Sequence, residues 1–595
     1  MYRPEYPRPQ CVRERWLSLN GPWGFGFDDD AVGERERWCA GGHELAMTIE
    51  VPFVFQSALS GIGCPDFHDV VWYRRAFEVP ADWRDQRVLL HLGAVDYHAW
   101  VYVNGQLVGE HVGGQTGFSL DITEQLTWRR ETVVVKVEDP STDEQIARGK
   151  QFWQLRPRGV WYSRCTGIWQ SVWLEPVADT HIAALRFTPD VDAGEVGIGY
   201  ELAGPVAGAE LDVAVSFAGE PVAEQTVRLP GRSGCCRLEV FGRQVLNGSF
   251  HEQGRCWSPE APHLFDVVVT VRRGGQTQDV VRSYFGMRKV EAVDGMVLLN
   301  NRPYYQKLVL DQGYWPGGLW TAPDDEAFRA DIEAAKRRGF NGCRKHQKVE
   351  DPRFLYWADT LGFLVWGECA AAPAFGERAV TMAVREWPEI IARDFNHPCI
   401  LTWVPLNESW GATGIATDAR QQSYSLALYH LIHALDPTRL VVSNDGWEHT
   451  QSDLCTVHFY RHGGPDEQGR FDTFVRHLST RAQILTPVPY ARSVYARGFV
   501  DEGVPIVLSE FGGIGFDIAD VDGWGYTRAD SADEFVAQYD RLVRAIGASQ
   551  AVVGFCYTQL YDVEQETNGL LTYAREPKCD PAQIKAINDL IDHTM

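Results

Sequence analysis

Two glutamates end two short apolar runs of the chain. Glu408 follows Ile400–Val404, and Glu510 closes Pro505–Glu510. Runs of this kind, rich in β-branched and aromatic residues, are typical of parallel strands that are buried on both faces. A carboxylate at the carboxyl end of such a strand lies at the mouth of an α/β barrel, where active sites are built. The pair therefore predicts chemistry that uses two carboxylates.

Helices and strands alternate around these two runs. Residues 324–338 begin with acidic side chains and end with basic ones before Gly339, as the helix dipole and a glycine C-cap favour. The alternation predicts helices at Asp324–Arg338, Phe354–Leu361, Ser423–Leu435 and Ala532–Ile546, and strands at Phe340–Arg344, Phe363–Trp366, Leu440–Ser443 and Val552–Tyr557. This rhythm over roughly 300 residues predicts a (β/α)8 TIM barrel. We place the barrel at residues 288–595.

Before residue 288 the chain has the pattern of strands and turns. Residues 1–180 contain strand-like runs, and Asn104-Gly105 is the dipeptide of a tight hairpin. We expect a jelly-roll β-sandwich there. Residues 181–287 predict an immunoglobulin-like β-sandwich. Its alternating runs are Glu210–Phe217, Ser258–Arg272 and Gln278–Tyr284.

The composition bears on partners and compartment. The 595 residues carry a formal net charge of −24, which would repel a phosphate backbone, so we expect no nucleic-acid partner. No stretch approaches the roughly 20 apolar residues that cross a bilayer, and the first residues lack the apolar part of a secretory signal. The 13 cysteines include no Cys-x-x-Cys pair. We therefore expect a cytoplasmic protein with free thiols and no membrane partner.

Several motifs, in one order along essentially the whole chain, resemble those of glycoside hydrolase family 2. They are Trp16–Trp23, Val71–Arg75, Val103–His111, Cys165–Glu175, Trp257–Leu264, Phe285–Arg288, Gly339–Arg344, Leu406–Ser409 and Leu508–Gly512. The resemblance implies a jelly roll, an immunoglobulin-like sandwich and a TIM barrel. It also implies retaining hydrolysis of a glycoside or oligosaccharide by exo action, without a cofactor. Many relatives assemble through their β domains, so a homo-oligomer is left open.

The resemblance also assigns roles to residues of the barrel. Glu408 would be the acid/base and Glu510 the nucleophile that a retaining mechanism needs. Asn407 would donate to the sugar 2-hydroxyl. Arg344 would hold the nucleophile ionised, because a nearby cation lowers a carboxylate's pKa, and Tyr460 would hydrogen-bond it.

The acid must keep its proton near neutral pH. Apolar neighbours or the negative nucleophile can raise its pKa. We expect Trp403 and Trp410 to supply part of the apolar surroundings.

Further side chains near strand ends are candidates for contact with the sugar. Asp311 follows the first predicted barrel strand, and His346 and His458 lie just past later ones. Trp447 could stack on a sugar face. Tyr557 stands where many relatives of the family have tryptophan, and we include it in the substrate-binding set.

We predict no metal site. Glu368 occupies a strand end where some relatives place a metal ligand, but no His/Asp cluster of ligand spacing accompanies it. We therefore expect a structural or hydrogen-bonding role for Glu368. Two functions of other classes remain as alternatives: a vestigial carbohydrate-binding protein, and a metal-dependent hydrolase, for which the His-x-x-x-His spacing is missing.

Departures from the family pattern bear on the sugar. Lys345-His346 replaces the Ser-His-Tyr-Pro run of typical β-galactosidases and β-glucuronidases, and Thr567–Leu571 lacks the Asn-Lys pair that grips a uronate. These features favour a neutral sugar, with a β-galactoside first, over a glucuronide. A β-galactofuranoside or an arabinoside is the alternative. The loop 461–503 is longer than a barrel needs and is either a lid or a structural insertion.

Overall fold

The protein consists of two β-sandwiches followed by an eight-stranded barrel. The structure is a computed structural model, and it describes residues 3–40, 42–241, 255–487, 492–518 and 523–592. Part of the predicted loop 461–503, residues 488–491, lies outside the described residues. No helix within these ranges is long and apolar enough to cross a membrane.

The first sandwich packs two antiparallel sheets face to face. Its strands are β1 Leu17–Ser18, β2 Gly21–Phe27, β3 Met47–Val51, β4 Val70–Phe77, β5 Arg87–Leu92, β6 Val95–Asp96, β7 His98–Val103, β8 Gln106–Val112, β9 Phe118–Asp121, β10 Glu131–Glu138, β11 Gly167–Ile168 and β12 Val172–Val177. One sheet has the order β1-β12-β5-β9, and the other has the order β3-β2-β4-β10-β7-β8. Alternate residues, such as Trp23 and Phe25 of β2, point inward and are buried.

The predicted hairpin joins β7 to β8. Asn104 and Gly105 both have positive φ, 49° and 79°, which is the backbone of a type I′ turn. Asn104 also accepts from the backbone of Thr132 and donates to Glu131. The side chain thus ties the turn to β10.

The second sandwich has two antiparallel sheets of three and four strands. Its strands are β13 His181–Asp190, β14 Glu195–Ala203, β15 Ala209–Phe217, β16 Glu220–Arg228, β17 Ser233–Glu239, β18 Phe265–Arg273 and β19 Gln276–Phe285. The sheet orders are β13-β14-β17 and β16-β15-β18-β19. The strand predicted from Ser258 begins only at Phe265, because Trp257 and Pro262 form a turn bridge before it. Proline removes a backbone donor and favours such a turn.

The barrel is one parallel sheet whose strands follow each other in chain order. After a small sheet of β20 Val290–Val293, β21 Met296–Leu299 and β22 Arg302–Pro303, its strands are β23 Gln306–Asp311, β24 Gly342–Lys345, β25 Leu364–Glu368, β26 Ile400–Val404, β27 Leu440–Val441, β28 Cys455–Phe459, β29 Ile506–Gly512 and, after the short pair β30 Ile514–Gly515 and β31 Thr527–Arg528, β32 Val552–Thr558. The ladder runs β27-β26-β25-β24-β23-β32-β29-β28. Asp453 connects its two ends, since its backbone donates to Val441 and its carboxylate accepts from the same residue.

Helices cover the outside of the barrel. They are α1 Asp325–Lys336, α2 Pro352–Leu361, α3 Glu377–Asp394, α4 Ala419–Leu435, α5 Gln468–Leu478, α6 Arg481–Ile484, α7 Ala532–Gly547 and α8 Pro581–Asn588. Asp324 caps α1 by accepting from the backbone of Ala327 at 2.9 Å. The four predicted helices are thus present as α1, α2, α4 and α7, each with at least one end shifted.

The sequence analysis predicted neither α3, nor α5 and α6, nor α8. Helix α3 contains Pro388, which normally ends a helix, but its buried face, with Trp387 and Ile390, is held against the barrel. The segment expected to be a loop, 461–503, contains α5 and α6. Tertiary packing rather than propensity stabilises such helices.

Leu364→Ala should lower the free energy of unfolding by about 2–5 kcal/mol, because Leu364 is fully buried in β25 and its loss leaves a cavity. The matched control is Leu590→Ala, at a side chain that is 53% exposed, for which we expect a change within about 0.5 kcal/mol. Urea unfolding of the two variants checks this. Equal destabilisation would contradict the packing described for β25.

Candidate active site

Glu408 lies on a constrained turn directly after β26. Glu408 and Ser409 have φ of 52° and 61°, a left-handed backbone that non-glycine residues rarely adopt. The turn is fixed by hydrogen bonds from the Glu408 amide to the Asp445 carbonyl and from the Ser409 amide to Asn444 Oδ1, both at 2.9 Å. Backbone held in such conformations is concentrated at functional sites.

Glu510 lies inside β29, across the barrel mouth from Glu408. One carboxylate oxygen of each glutamate and a ring nitrogen of His458 all lie within 4.8 Å of one another. The Glu510 side chain is 7% exposed and that of Glu408 is 20% exposed. The structure therefore brings the two predicted carboxylates together, in unequal surroundings.

Arg344, at the end of β24, organises the acids of the mouth. Its guanidinium forms ion pairs with Glu368 at 2.8 Å, with Asp445 at 2.7 Å and with Glu510 at 3.0 Å. It also donates to the backbone carbonyl of Ser509 at 2.8 Å. The side chain is completely buried, so these carboxylates compensate a charge that would otherwise be very costly.

Tyr460 follows β28 and holds the second oxygen of Glu510. Its hydroxyl donates to Glu510 Oε2 at 2.6 Å and lies 2.8 Å from Thr558 Oγ1. Its ring stacks on Tyr526, with centroids 3.6 Å apart. Burial and the charge of Glu510 raise the pKa of Tyr460 well above its usual value, so the hydroxyl stays a donor.

His458 connects both glutamates to Asp445. Its Nδ1 lies 2.8 Å from Glu408 and 3.4 Å from Glu510, and its Nε2 lies 2.8 Å from Asp445. Burial alone would lower its pKa, but Glu510 and Asp445 outweigh this and raise the pKa to about 10. The imidazole is therefore a cation at neutral pH, and both of its nitrogens donate.

The same charges keep the buried acids ionised. Burial favours the neutral form of Glu510, but His458 and Arg344 outweigh it and lower the pKa of Glu510 to about 2. Arg344 and His458 likewise hold the pKa of Asp445 far below its usual value, against the effect of burial. A carboxylate that is ionised at all ordinary pH values is suited to act as a nucleophile.

Two further predicted residues lie in this network. Asn407 Oδ1 accepts from Arg344 at 3.2 Å. His346 Nδ1 lies 2.9 Å from Glu368 Oε2, next to the guanidinium. Glu368 thus has the hydrogen-bonding position that the sequence analysis expected.

Two further candidates for sugar contact are buried near this network. Asp311 is buried and accepts from Lys345, Tyr561 and the Gly313 backbone, which engages both of its oxygens. Trp447 is largely buried, with its ring centroid 5.5 Å from that of His458.

Tyr557 packs on the outer face of the barrel. Its ring centroid lies 5.0 Å from that of Tyr539 on α7. Trp403 also points outward, since its indole nitrogen donates to Asp436 and its ring contacts Trp387 of α3. Trp403 therefore does not supply the apolar surroundings of Glu408 that were expected of it.

Sequence reasoning missed Asp445 and a contribution from the first sandwich. Asp445 belongs to the motif Asn444–Trp447, and its signal was a carboxylate just past a strand end. Trp161 stacks on Trp410, with centroids 4.4 Å apart, and Lys150 lies over the same Trp410 ring at 5.1 Å. No local pattern in residues 150–161 points to a site more than 240 positions away.

Three side chains at the mouth lie close enough together to hold a metal ion. Within the described part of the chain, Glu408, His458 and Glu510 are the one group of His, Cys, Asp or Glu residues whose ligand atoms lie this close together. In this structure the Nδ1 of His458 lies 2.8 Å from Glu408, within hydrogen-bonding distance.

A barrel with two neighbouring carboxylates at the carboxyl ends of its strands has the architecture of glycosidases that use a pair of carboxyl groups. The chain belongs to glycosyl hydrolase family 2. Residues 16–174 match the family's sugar binding domain, residues 180–288 match the model described simply as glycosyl hydrolases family 2, and residues 291–496 match the family's TIM barrel domain.

Proteins named β-galactosidase and proteins named β-glucuronidase are both similar to this sequence. The β-galactosidase of Thermoanaerobacter pseudethanolicus is 28% identical over 360 residues, which are 58% of this chain and 45% of that protein. The β-glucuronidase of Paenibacillus borealis is 26% identical over 439 residues, 68% of this chain and 69% of that protein. The chain thus spans less than half the length of the first of these.

The fold of this chain is also found in solved structures. The crystal structure of Ruminococcus gnavus β-glucuronidase superposes with a TM-score of 0.78 at 21% identity and covers 99% of both chains. At this identity the likeness establishes the fold, with its two sandwiches and barrel.

His458 should make stability depend on pH. Its folded pKa of about 10 is above its ordinary 6.5, so its contribution is complete below pH 6.5 and is lost as the pH rises towards 10. We expect His458→Gln to be less stable than the wild type at pH 6.5, with a gap that narrows by pH 10. Thermal unfolding at several pH values measures the gap.

The control for this experiment is His430→Gln, at an exposed histidine of α4, which should leave stability unchanged at every pH. A gap between His458→Gln and the wild type that stays constant from pH 6.5 to 10 would contradict the charged imidazole.

Proposed function

We propose that this protein is a retaining glycoside hydrolase that removes a terminal sugar from a glycoside or oligosaccharide. The observation that carries the proposal is the spacing of Glu408 and Glu510, with oxygens within 4.8 Å. Retaining enzymes hold their carboxyl groups about 5–5.5 Å apart, whereas inverting enzymes leave roughly 6.5–9.5 Å for a water. The proposal assigns catalysis to residues 288–595 and supporting roles to the domains 1–180 and 181–287.

In the first half of the reaction, Glu510 attacks the anomeric carbon while Glu408 gives its proton to the glycosidic oxygen. The bond to the leaving group breaks, and a covalent glycosyl ester forms on Glu510. The unequal burial of the two carboxylates suits these roles, because Glu510 is held as an anion while Glu408 lies at the rim, where the leaving group departs.

In the second half, Glu408 is a carboxylate and acts as the base. It takes a proton from a water that attacks the anomeric carbon, and the ester bond to Glu510 breaks. The sugar leaves with its original configuration, and both glutamates return to their starting states.

The surrounding groups stabilise charge at the oxygen atoms that change. Arg344 and Tyr460 each bind one oxygen of Glu510, so the carboxylate that is regenerated at the end of the reaction is already solvated by fixed donors. His458 donates to Glu408 and supports its carboxylate form in the second half.

Asn407 is positioned to bind the sugar. Because its Oδ1 accepts from Arg344, its amide nitrogen is the group that remains to donate. A hydrogen bond from Asn407 to the sugar 2-hydroxyl would strengthen as the oxocarbenium-like transition state forms.

For the sugar itself, we propose a neutral glycone, with a β-galactoside first and a β-galactofuranoside or arabinoside as the alternative. The relative from T. pseudethanolicus named β-galactosidase supports the first choice. A glucuronide is a second candidate, because the P. borealis relative and the R. gnavus structure carry the name β-glucuronidase.

Glu510→Ala should lower kcat by at least about four orders of magnitude, because the covalent intermediate cannot form. Glu408→Ala should lose activity on poor leaving groups and regain turnover with added azide, which replaces the water that the lost base activated. The measurement is hydrolysis of para-nitrophenyl β-galactopyranoside, β-galactofuranoside, β-glucuronide and both arabinoside ring forms.

The control variant is Glu326→Gln, at a glutamate of α1 whose side chain is 67% exposed and which has no role in the reaction above. Near-normal activity of Glu510→Ala would overturn the mechanism. If the wild type hydrolyses none of these glycosides but still binds sugar, the result would instead favour a carbohydrate-binding protein.

A further inference from the structure

A loop of the first sandwich reaches the mouth of the barrel. We call residues 140–165 the first-domain loop. Its Gly149 amide donates to the Ala371 carbonyl at 3.0 Å, and its Ser163 amide donates to Glu564 at 3.1 Å. The Tyr162 hydroxyl donates to Glu566 at 2.6 Å. The loop is thus fixed to the barrel by backbone and side-chain hydrogen bonds.

Lys150 of this loop is a buried cation that lies against Trp410, close to the turn of Glu408. The residue is 6% exposed. Its ammonium lies over the rings of Trp410 and Tyr162, 5.1 and 5.6 Å from their centroids. Trp410 comes two positions after Glu408, so Lys150 lies against the turn that carries the proposed acid/base.

The ammonium of Lys150 has no hydrogen bond and no ion pair to any residue that the structure describes. This separates it from the other buried lysines within the described ranges. Each of those donates to a carboxylate or a carbonyl oxygen; they are Lys136, Lys307, Lys345, Lys348 and Lys578.

Negative charge surrounds Lys150, but no described residue accepts a hydrogen bond from its ammonium group. Burial lowers its pKa, and the carboxylates of Glu566, Glu510 and Glu408 oppose this from a distance. An ammonium group has three N–H donors, and those of Lys150 have no acceptor among the described residues, while the nitrogen still reaches accessible space. The surroundings therefore lack hydrogen-bond acceptors, whereas negative charge is already present.

We propose that Lys150 is a specificity-determining residue that donates hydrogen bonds to hydroxyl oxygens of a neutral sugar bound between Glu408 and Glu510. The inference rests on the proposed function and adds a binding residue from another domain. A hydroxyl supplies the missing acceptors without adding charge. A uronate carboxylate at this place would also lie in the field of Glu566, Glu510 and Glu408, which offsets part of its attraction to the ammonium.

The test compares Lys150→Met with the wild type on the neutral glycoside that the wild type hydrolyses best. We expect kcat/KM to fall by about 10- to 100-fold, the effect of deleting a hydrogen bond from a charged donor. Methionine keeps the length and the ring contacts of the side chain. The matched control is Arg156→Met, which removes a positive charge from an exposed position of the same loop and should leave kcat/KM unchanged.

Deoxygenated substrates identify the partner of the ammonium. On the deoxy glycoside that lacks the bonded hydroxyl, the ratio of kcat/KM between the wild type and Lys150→Met should fall to about 1. On the other deoxy glycosides this ratio should stay the same as on the parent glycoside. The other outcome is a kcat/KM ratio that is the same on every analogue, together with an acid limb of the kcat/KM profile of Lys150→Met that lies at higher pH. It would mean that Lys150 only stabilises the charge of Glu510. That result would overturn the proposal.

A uronide provides the remaining comparison. Loss of activity in Lys150→Met on para-nitrophenyl β-glucuronide alone would mean that the ammonium pairs with a carboxylate, which also overturns the proposal. Equal kcat/KM of wild type and variant on the neutral glycoside would do the same.

Binding of free galactose, measured by calorimetry on both proteins, separates this proposal from the proposed function. If the wild type hydrolyses nothing but binds galactose more tightly than Lys150→Met does, the hydrolase proposal fails and the binding role of Lys150 stands. If both proteins bind galactose equally, the role of Lys150 fails. Thermal unfolding of both proteins checks that the variant is folded.

Discussion

The mouth of the barrel depends on the burial of one guanidinium. Arg344 is fully buried and is compensated by three carboxylates on three other strands or loops, Glu368, Asp445 and Glu510. Removing one partner of such a network leaves an uncompensated charge and costs about 3–5 kcal/mol. The position of Glu510 is therefore tied to the stability of the barrel, and the candidate nucleophile is held in place before any substrate arrives.

A second cation, His458, lies between the two glutamates. It touches both of them and Asp445, and together with Arg344 it lowers the pKa of Glu510 to about 2. Glu408 lies nearer to solvent, with His458 as its ion-pair partner. Two carboxylates in unequal surroundings are the usual basis of an acid and a nucleophile in one site, and here the inequality comes from fixed cations rather than from an apolar pocket.

Much of the fold could be predicted from local pattern. The hairpin at Asn104-Gly105, the capped helix after Asp324 and the strands that carry Glu408 and Glu510 are where the sequence placed them, since turn dipeptides, caps and apolar periodicity act over a few residues. Helix α3 was not predicted, because Pro388 argues against a helix locally and only packing against the barrel decides otherwise. The sequence also could not show which face of its strand Tyr557 lies on, because a strand that is buried on both faces is apolar on both.

The sequence by itself determined that two glutamates stand at strand ends, within motifs of one family, with Arg344 and Tyr460 near them in the barrel. Only the tertiary structure decided that His458 bridges the glutamates, that Asp445 supports it, and that Lys150 arrives from another domain. The physical reason is distance along the chain. Patterns of a few residues fix local conformation, whereas charges compensate each other across whatever neighbours folding provides, and those neighbours come from positions 150 to 510 of the chain.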